Sequence, residues 1–468
     1  MATLIRNGRI VTAVDDYTAD VLVDDGRIRT IGEGIEAGPD VEVHDAAGLL
    51  VLPGGGDVHV HLDLETPTAR SVDDFASGTR AAAFGGTTTV VDFCTPARGQ
   101  RLMDALEQWH RRAERACVDV AAHMSVLDAA PATLDEMKAL ARDEGVTSFK
   151  LYMAYPGALM VDDAALFKAM RVAGAHGALT CVHAENGPVI AALIEEALAQ
   201  GLTAPKYHAM TRPPILEGEA VHRAIRLSEL ADAPLYVVHL SAAESLAAVT
   251  EARDRGIPVH AETCPHYLFL SSDEYERPGF DAAKFVMTPP LRGREHCDHL
   301  WRGLRTDDLQ VVATDHCPFC FGEQPHGMLY SKRQGLDSFA QIPNGAPGVE
   351  TRFALMHDGA VVRRGMSLNR FVEIVSCAPA KIFGLFPRKG TVAVGSDADL
   401  VLFDPAERWT VRAAEQHGRA DYSVFEGREV VGRVKKVFVR GQCVVDGERW
   451  LGRETMGRYL RRGPSGRA

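Results

Sequence analysis

Apolar and polar residues alternate through Val51-Leu-Pro-Gly-Gly-Gly-Asp57-Val-His59-Val-His61-Leu-Asp63, the period-two pattern of a β-strand. Successive side chains on a strand point to opposite faces, so Asp57, His59 and His61 fall on one face and Val58 and Val60 on the other. Two imidazoles two residues apart can reach one metal ion, although the same pattern also suits a polar edge strand. Upstream, Leu4-Ile-Arg, Asn7-Gly8 and Arg9-Ile-Val read as strand, turn and strand, and Val21-Leu-Val, Asp25-Gly26 and Arg27-Ile-Arg repeat the form. Asn-Gly and Asp-Gly fit two-residue turns that need positive φ. At the far end, Asp399 to Phe403 reads as a strand and Val437 to Val445 as a hairpin. Neither end has enough strands for a stable sheet alone, so the two are expected to form one small β domain together.

Between the ends, apolar strand-like runs start near Val51, Thr87, Val118, Thr147, Leu179, Leu235, Ile257 and Gln310, with helical stretches between most of them. Ser71-Val-Asp-Asp74 resembles a capping box ahead of a helix over Phe75 to Phe84 that Gly85-Gly86 ends. Eight strands alternating with helices predict a parallel sheet closed into a barrel. The expected architecture is an α/β (β/α)8 TIM-like barrel over 53–389, with a small β-sandwich domain built from both termini, 1–52 and 390–450. The barrel segment exceeds the roughly 250 residues of a bare barrel, so insertions are expected around Gly201 to Pro214 and Asp273 to Asp308. The tail, 451–468, is expected to end in a disordered or partner-bound arm from Arg461.

Composition narrows the function. A net charge of −12 over 468 residues, with pI near 5.8, argues against nucleic acid or an anionic membrane as partner. No apolar run reaches the length of a membrane span. The N-terminus lacks the pattern of a signal peptide, and nine scattered cysteines suit a reduced, cytoplasmic chain.

Candidate chemistry gathers at the ends of the apolar runs, where barrels of this kind carry their catalytic groups. The first run ends in His59 and His61, the fourth holds Lys150, the fifth ends in His183, the sixth in His239 and the eighth in Asp315. An ammonium beside dications would be repelled and has no lone pair to donate. A neutral, buried lysine can add carbon dioxide, and the carbamate can bridge two metals. The other reading of Lys150 is a packed stem whose head reaches an acid. His123 reads as a core or supporting histidine. Cys317-x-x-Cys320 lacks the second pair that a structural zinc site would need.

The array Gly-Asp57-x-His59-x-His61, Phe149-Lys150, Val182-His183-Ala-Glu-Asn186, Val238-His239-Leu-Ser, Glu262-Thr-Cys-Pro-His-Tyr-Leu268 and Thr314-Asp315-His-Cys-Pro-Phe319 resembles the amidohydrolase superfamily. Tyr152-Met-Ala-Tyr155, Pro289-Pro-Leu-Arg292, Ile342-Pro-Asn344-Gly-Ala-Pro-Gly-Val-Glu350, Asp421-Tyr-Ser-x-Phe-Glu-Gly427 and Gly457-Arg-Tyr-Leu460 narrow the likeness to its dihydropyrimidinase and D-hydantoinase branch. The resemblance implies two Zn2+ per subunit, with Mn2+ or Co2+ as substitutes, bridged by carboxylated Lys150 (N6-carboxylysine). It places His59, His61 and Asp315 on one ion and His183 and His239 on the other, and it implies a homotetramer, or at least a dimer. The implied reaction opens cyclic amides, hydantoins or 5,6-dihydropyrimidines, to N-carbamoyl amino acids by attack of a metal-bridging hydroxide. Asp315 would be its base and Tyr155 its oxyanion donor, with Thr288 and Asn344 at the ring's amide edge.

The chain departs from the branch at His266, where Gln is usual, and at Thr288, often Ser. It departs also at Leu64-Glu65-Thr66-Pro67, where Met-Pro-Phe often follows the aspartate. The substituent is expected to meet the loops around Leu64 to Pro67 and Tyr155 to Met160, with Leu64, Thr66 and Leu159 as the lid and specificity positions. The rival enzymes are allantoinase and dihydroorotase, which share the metal array. The rival of another class is a non-catalytic scaffold like the collapsin response mediators, which have lost metal ligands that this chain retains.

Overall fold

The alternating run around Val51 is two strands that belong to two different sheets. In the computed structural model, which describes residues 2–66, 68–322 and 326–465, one strand ends at Pro53, the next begins at Gly55, and Gly54 is the break. On the N-terminal side, β1 (Ala2–Val11), β2 (Asp16–Asp24) and β3 (Arg27–Gly32) form an antiparallel ladder. Strands β4 (Val41–Asp45) and β5 (Leu50–Pro53) lie parallel to β1. The Asp25-Gly26 hairpin forms as expected, with φ of 49° and 75°. Asn7-Gly8 is not a turn. Strand β1 runs straight through it, and the register with β2 shifts between Ile5 and Gly8. Asn7 spends its positive φ, 59°, on this bulge. Its backbone N–H donates to Asp20 Oδ1 at 2.9 Å and its side-chain amide to Asp45 Oδ1 at 3.0 Å.

The barrel strands follow in order: β6 (Gly55–Val60), β7 (Thr87–Cys94), β8 (Asp119–Ser125), β9 (Ser148–Tyr152), β10 (Leu179–His183), β11 (Leu235–Val237), β12 (Val259–Thr263) and β13 (Val311–Val312). Each pairs in parallel with the next. The two edges meet where Val60 bridges His316 and the His61 N–H donates to the His316 carbonyl at 2.9 Å. Strands covered on both faces read as unbroken apolar runs, and every residue of β7 is buried. Val91, Ala121, Cys181, Tyr236, Val238 and Val311 fill the interior, and Val58 joins them while Val60 packs in the other core, because the β6–β7 register shifts between Asp57 and Val60.

The helix over Phe75–Phe84 forms, but its capping box is Asp74 with Ser77, not Ser71 with Asp74. Ser71 instead accepts the Leu64 N–H at 2.9 Å and so anchors the loop above it. The stretch Asp273 to Asp308 is only partly an insertion. It ends in the helix Arg294–Thr306, which connects β12 to β13 as the barrel pattern requires.

After the barrel, β14 (Leu400–Thr410), β15 (Glu429–Val439), β16 (Gln442–Asp446) and β17 (Arg449–Trp450) extend the first sheet. Strand β14 pairs antiparallel with β5, from Leu400 opposite Pro53 to Phe403 opposite Leu50. One sheet of nine strands thus draws on both ends of the chain, over a core that includes Ile5, Ile10, Val21, Leu400, Leu402 and Phe438. Among the described residues, no helix is long and apolar enough to cross a membrane.

The C-terminal arm is not loose where it is described. Residues 456–465 strap the floor of the barrel, at the N-terminal ends of its strands. The Gly457 N–H donates to Ala116 O at 2.9 Å, Leu460 N–H to Val120 O at 2.8 Å, and Arg462 N–H to Gly145 O at 3.0 Å. Farther along, the Ser465 N–H reaches Gly177 O at 2.9 Å. The Arg462 guanidinium enters the floor, donating to Ala122 O at 2.6 Å and Ser148 Oγ at 2.7 Å. The remaining part of that expectation, Gly466 to Ala468, lies outside the described residues. At Gly457 a Cβ would collide with the Val118 carbonyl. Gly457→Ala should therefore cost about 1–3 kcal/mol, the usual penalty of overpacking. Thermal unfolding of the two proteins side by side checks this, and an unchanged midpoint would mean that the strap contributes nothing to stability.

Candidate metal centre

The expected ligand-type groups lie in or just past the barrel strands. His59 lies in β6 and His61 just past it, Lys150 in β9, His183 at the end of β10, and His239 and Asp315 just beyond β11 and β13. Asp315 Oδ1 lies 3.1 Å from His59 Nε2 and 3.0 Å from His61 Nε2. Ligand-type atoms of these three residues all fall within 4.8 Å of one another. Alongside, His183 Nδ1 and His239 Nε2 face each other at 2.9 Å. The His59 and His239 rings are 5.3 Å apart, so the two groups are neighbours in one mouth. Lys150 is buried, with its Nζ 4.9 Å from the Phe93 ring centroid and 5.4 Å from that of Tyr152. Among the described residues its head reaches no acid at ion-pair distance.

The electrostatics follow from burial and pairing. Burial opposes charge on His59, but Asp315 and Glu262 on either side outweigh it and raise the imidazole to about 9. Burial pushes the Asp315 carboxyl up, yet the His59 charge and hydrogen bonds from His59 and His61 hold it well below the usual carboxylate range. His239 is lowered well below its ordinary value by burial and then by His183 and Lys150. Lys150 is lowered to about 8 by burial, with Cys181 and Glu262 acting against the shift.

Three of these positions are held in left-handed backbone: Tyr155 at φ 65°, His239 at 40° and Asp315 at 49°. Such conformations cost non-glycine residues of order 1–3 kcal/mol each and persist only where the surroundings over-determine them. At Tyr155 the turn makes its carbonyl the acceptor for the N–H groups of Ala158, Leu159 and Met160. The Tyr155 ring packs 5.1 Å from that of His183. Burial raises its phenol well above the ordinary value, Glu185 adds to this, and Arg212 and a hydrogen bond with Thr288 oppose it. Thr288 Oγ1 also lies 3.4 Å from His208 Nε2. Asn344 is half-buried in the segment before Ala346, which bridges His316.

In the lid, the Thr66 hydroxyl is engaged in its own loop, accepting the Ala69 N–H and donating to the Ala69 carbonyl, both at 2.9 Å. Glu65 pairs with Arg70 across the same turn. Leu64 and Leu159 are half-buried, and Pro67 lies outside the described residues.

Two carboxylates of the site were given no role from the sequence. Glu262, at the end of β12, pairs with His59 Nδ1, accepts the Tyr236 hydroxyl at 2.8 Å and accepts the His239 N–H at 3.2 Å. Glu185 Oε2 lies 2.9 Å from His183 Nε2. Carboxylates behind metal-type histidines fix ring orientation and tautomer. The signal for Glu262 was present, because the seventh apolar run ends in an acid as the eighth does. His316, by contrast, turns away from the mouth: Nε2 lies 3.1 Å from Asp73 Oδ2, and Nδ1 accepts the Gly348 N–H at 3.1 Å. His123 has both ring nitrogens taken, by Ser148 Oγ at 2.5 Å and Val58 O at 2.9 Å, as suits a core histidine. Cys317 and Cys320 are free, buried thiols, and burial raises both.

Comparison with known proteins agrees with this geometry. The profile of the amidohydrolase family matches residues 50–444. The chain is 48% identical to a D-hydantoinase of Streptomyces coelicolor over 465 residues, 98% of each chain. A crystal structure of dihydropyrimidinase from Brevibacillus agri superposes with a TM-score of 0.97 at 46% identity, over 100% of both chains. An L-hydantoinase (dihydropyrimidinase) from Arthrobacter aurescens superposes at 0.87 with 30% identity, over 98% of this chain and 99% of that one. With a matched profile, full-length relatives and a shared barrel, the chain belongs to the amidohydrolase family, within its dihydropyrimidinase and hydantoinase branch.

Proposed function

We propose that the chain hydrolyses the cyclic amide bond of hydantoins and 5,6-dihydropyrimidines, opening the ring to an N-carbamoyl amino acid. The observation that carries this reading is the convergence of His59, His61 and Asp315 beside the facing pair His183 and His239. The donor set fits divalent ions: imidazole nitrogens and a carboxylate oxygen suit zinc, and they suit manganese or cobalt as well. His59, His61 and Asp315 would hold one ion and His183 and His239 a second, with carboxylated Lys150 between them. A lysine lowered to about 8 with no acid beside it supports the carbamate, because the neutral amine is the form that adds carbon dioxide. Ions at these positions polarise the ring carbonyl and lower the pKa of the attacking water.

The chain's own residues do the rest. Asp315, which stays ionised, takes a proton from the attacking water and delivers it to the ring nitrogen. The new C–O bond yields a carboxylate, the C–N bond breaks, and the nitrogen leaves as part of a ureido group. Tyr155 donates its O–H to the carbonyl oxygen as charge builds there, and its raised phenol keeps that proton available. Thr288 and Asn344 present backbone groups to the ring's amide edge. Leu64, Thr66 and Leu159 face the ring substituent. A hydrophobic contact per methylene is worth only ~1–3 kcal/mol, so this lid tunes range without setting the reaction.

Chiral chromatography of products from dihydrouracil, 5-monosubstituted hydantoins, allantoin and dihydroorotate tests the reading. Ring-opened N-carbamoyl products are expected from the first two classes. Turnover confined to allantoin or dihydroorotate would replace it with one of the rival amidases. Lys150→Ala should lose bound metal and activity together, with partial recovery in short carboxylic acids. Metal analysis finding two ions per chain in a fully active variant would remove the bridging role. Tyr155→Phe should keep its metal and lower kcat by ~10²–10³, the usual cost of one oxyanion donor. A change below threefold would leave Tyr155 as a lid aromatic only.

A further inference from the structure

Lys332 is fully buried, and among the described residues its ammonium has no carboxylate at ion-pair distance. Its Nζ donates to Val286 O at 2.6 Å and to Pro343 O at 2.7 Å. Val286 stands two residues before Thr288, and Pro343 stands immediately before Asn344. The Gly345 N–H donates to the same Val286 carbonyl at 3.1 Å, so the two segments are in direct contact where the lysine joins them. The backbone of Lys332 is fixed in turn to the loop that follows Asp315. Its N–H donates to Cys320 O at 2.9 Å, the Cys320 N–H donates to Tyr330 O at 2.7 Å, and Cys320 bridges Ser331. From the same loop, the Cys317 N–H donates to Ala346 O at 3.1 Å. The lysine stem passes the Phe319 ring, with Nζ 5.6 Å from its centroid.

Burying an amine away from any acid is unfavourable, and an apolar side chain would fill the same space without that cost. What an apolar side chain could not do is hold two carbonyls from separate segments at once. We infer that Lys332 is a positioning residue for the substrate's amide edge: its amine staples 286–288 to 343–345, and its backbone ties both to the loop carrying Asp315. The inference rests on the reading of Thr288 and Asn344 as the segments that grip the ring. It also gives the Cys317-x-x-Cys320 stretch a role, as the backbone rail on which the staple is mounted. Burial lowers the ammonium to about 7, with Cys317 opposing. His208, the other titratable group that feels this charge, is held neutral by burial and then by Arg212. The neutral amine still carries two N–H groups for the two carbonyls, so the staple holds in either protonation state.

The test is Lys332→Met, which keeps the length of the stem and removes the donors. KM for dihydrouracil should rise at least tenfold while kcat stays within threefold and bound metal per chain is unchanged. Hydrogen exchange should quicken in peptides covering 286–288 and 343–346. Lys332→Leu, which also packs against Phe319, gives the same readings where the methionine variant does not accumulate. A KM within twofold of the parent at full metal content would overturn the inference. So would a fall in kcat that tracks lost metal, because the lysine would then act only through Asp315. If the parent protein opens none of the cyclic substrates, the functional reading fails. Unchanged exchange in the two segments would sink the staple separately.

Discussion

The barrel mouth depends on a line of contacts running Glu262–His59–Asp315. Ionisable groups gathered where little water reaches them must be neutralised by one another, and the partner usually comes from a different strand. His59 from β6 stands between an acid from β12 and an acid just past β13, and that pairing draws the last strands against the first. Around it the same requirement is met repeatedly. Asp57 accepts from the Thr314 N–H at 3.1 Å and hydroxyl at 2.6 Å, Asp73 holds His316, and Glu185 holds His183. Removing one member of such a set leaves a buried charge alone, which costs about 3–5 kcal/mol. The strained backbone at His239 and Asp315 is tolerated because these contacts over-determine it.

The two faces of the barrel divide their duties. The mouth carries left-handed residues, charges and loops with half-buried side chains. The floor is closed by the 456–465 strap, whose backbone N–H groups find carbonyls at the strand starts. Arg462 completes the floor with a guanidinium lowered to about 10 by burial, lying over the Phe383 ring.

The barrel was legible because covered parallel strands read as continuous apolar runs, and because histidine, lysine or aspartate interrupts or follows five of those runs. Elements decided by tertiary contacts were misread. Asn7-Gly8 has the chemistry of a turn, but the sheet needs a long β1 there and uses the positive φ for a bulge. Ser71 and Asp74 have capping-box spacing, yet Ser71 bonds the loop above it, Asp74 is the N-cap and Ser77 is its partner. The polar, glycine-containing tail reads as disordered because its partners are backbone carbonyls of distant strands, which leave no mark in its own composition. Glu262 and Glu185 were visible as residues but not as partners. Nothing in the spacing says which acid faces which imidazole.

The break at Gly54 has a consequence for synthesis on the ribosome. Strands β1 to β5 emerge first, and β5 presents a ladder edge of Leu50, Val51 and Leu52 whose partner is β14. That partner is made only after all eight barrel strands. The small sheet therefore closes last, however early its first strands appear, and the nascent chain carries an open, apolar edge for most of translation. Such edges recruit other chains.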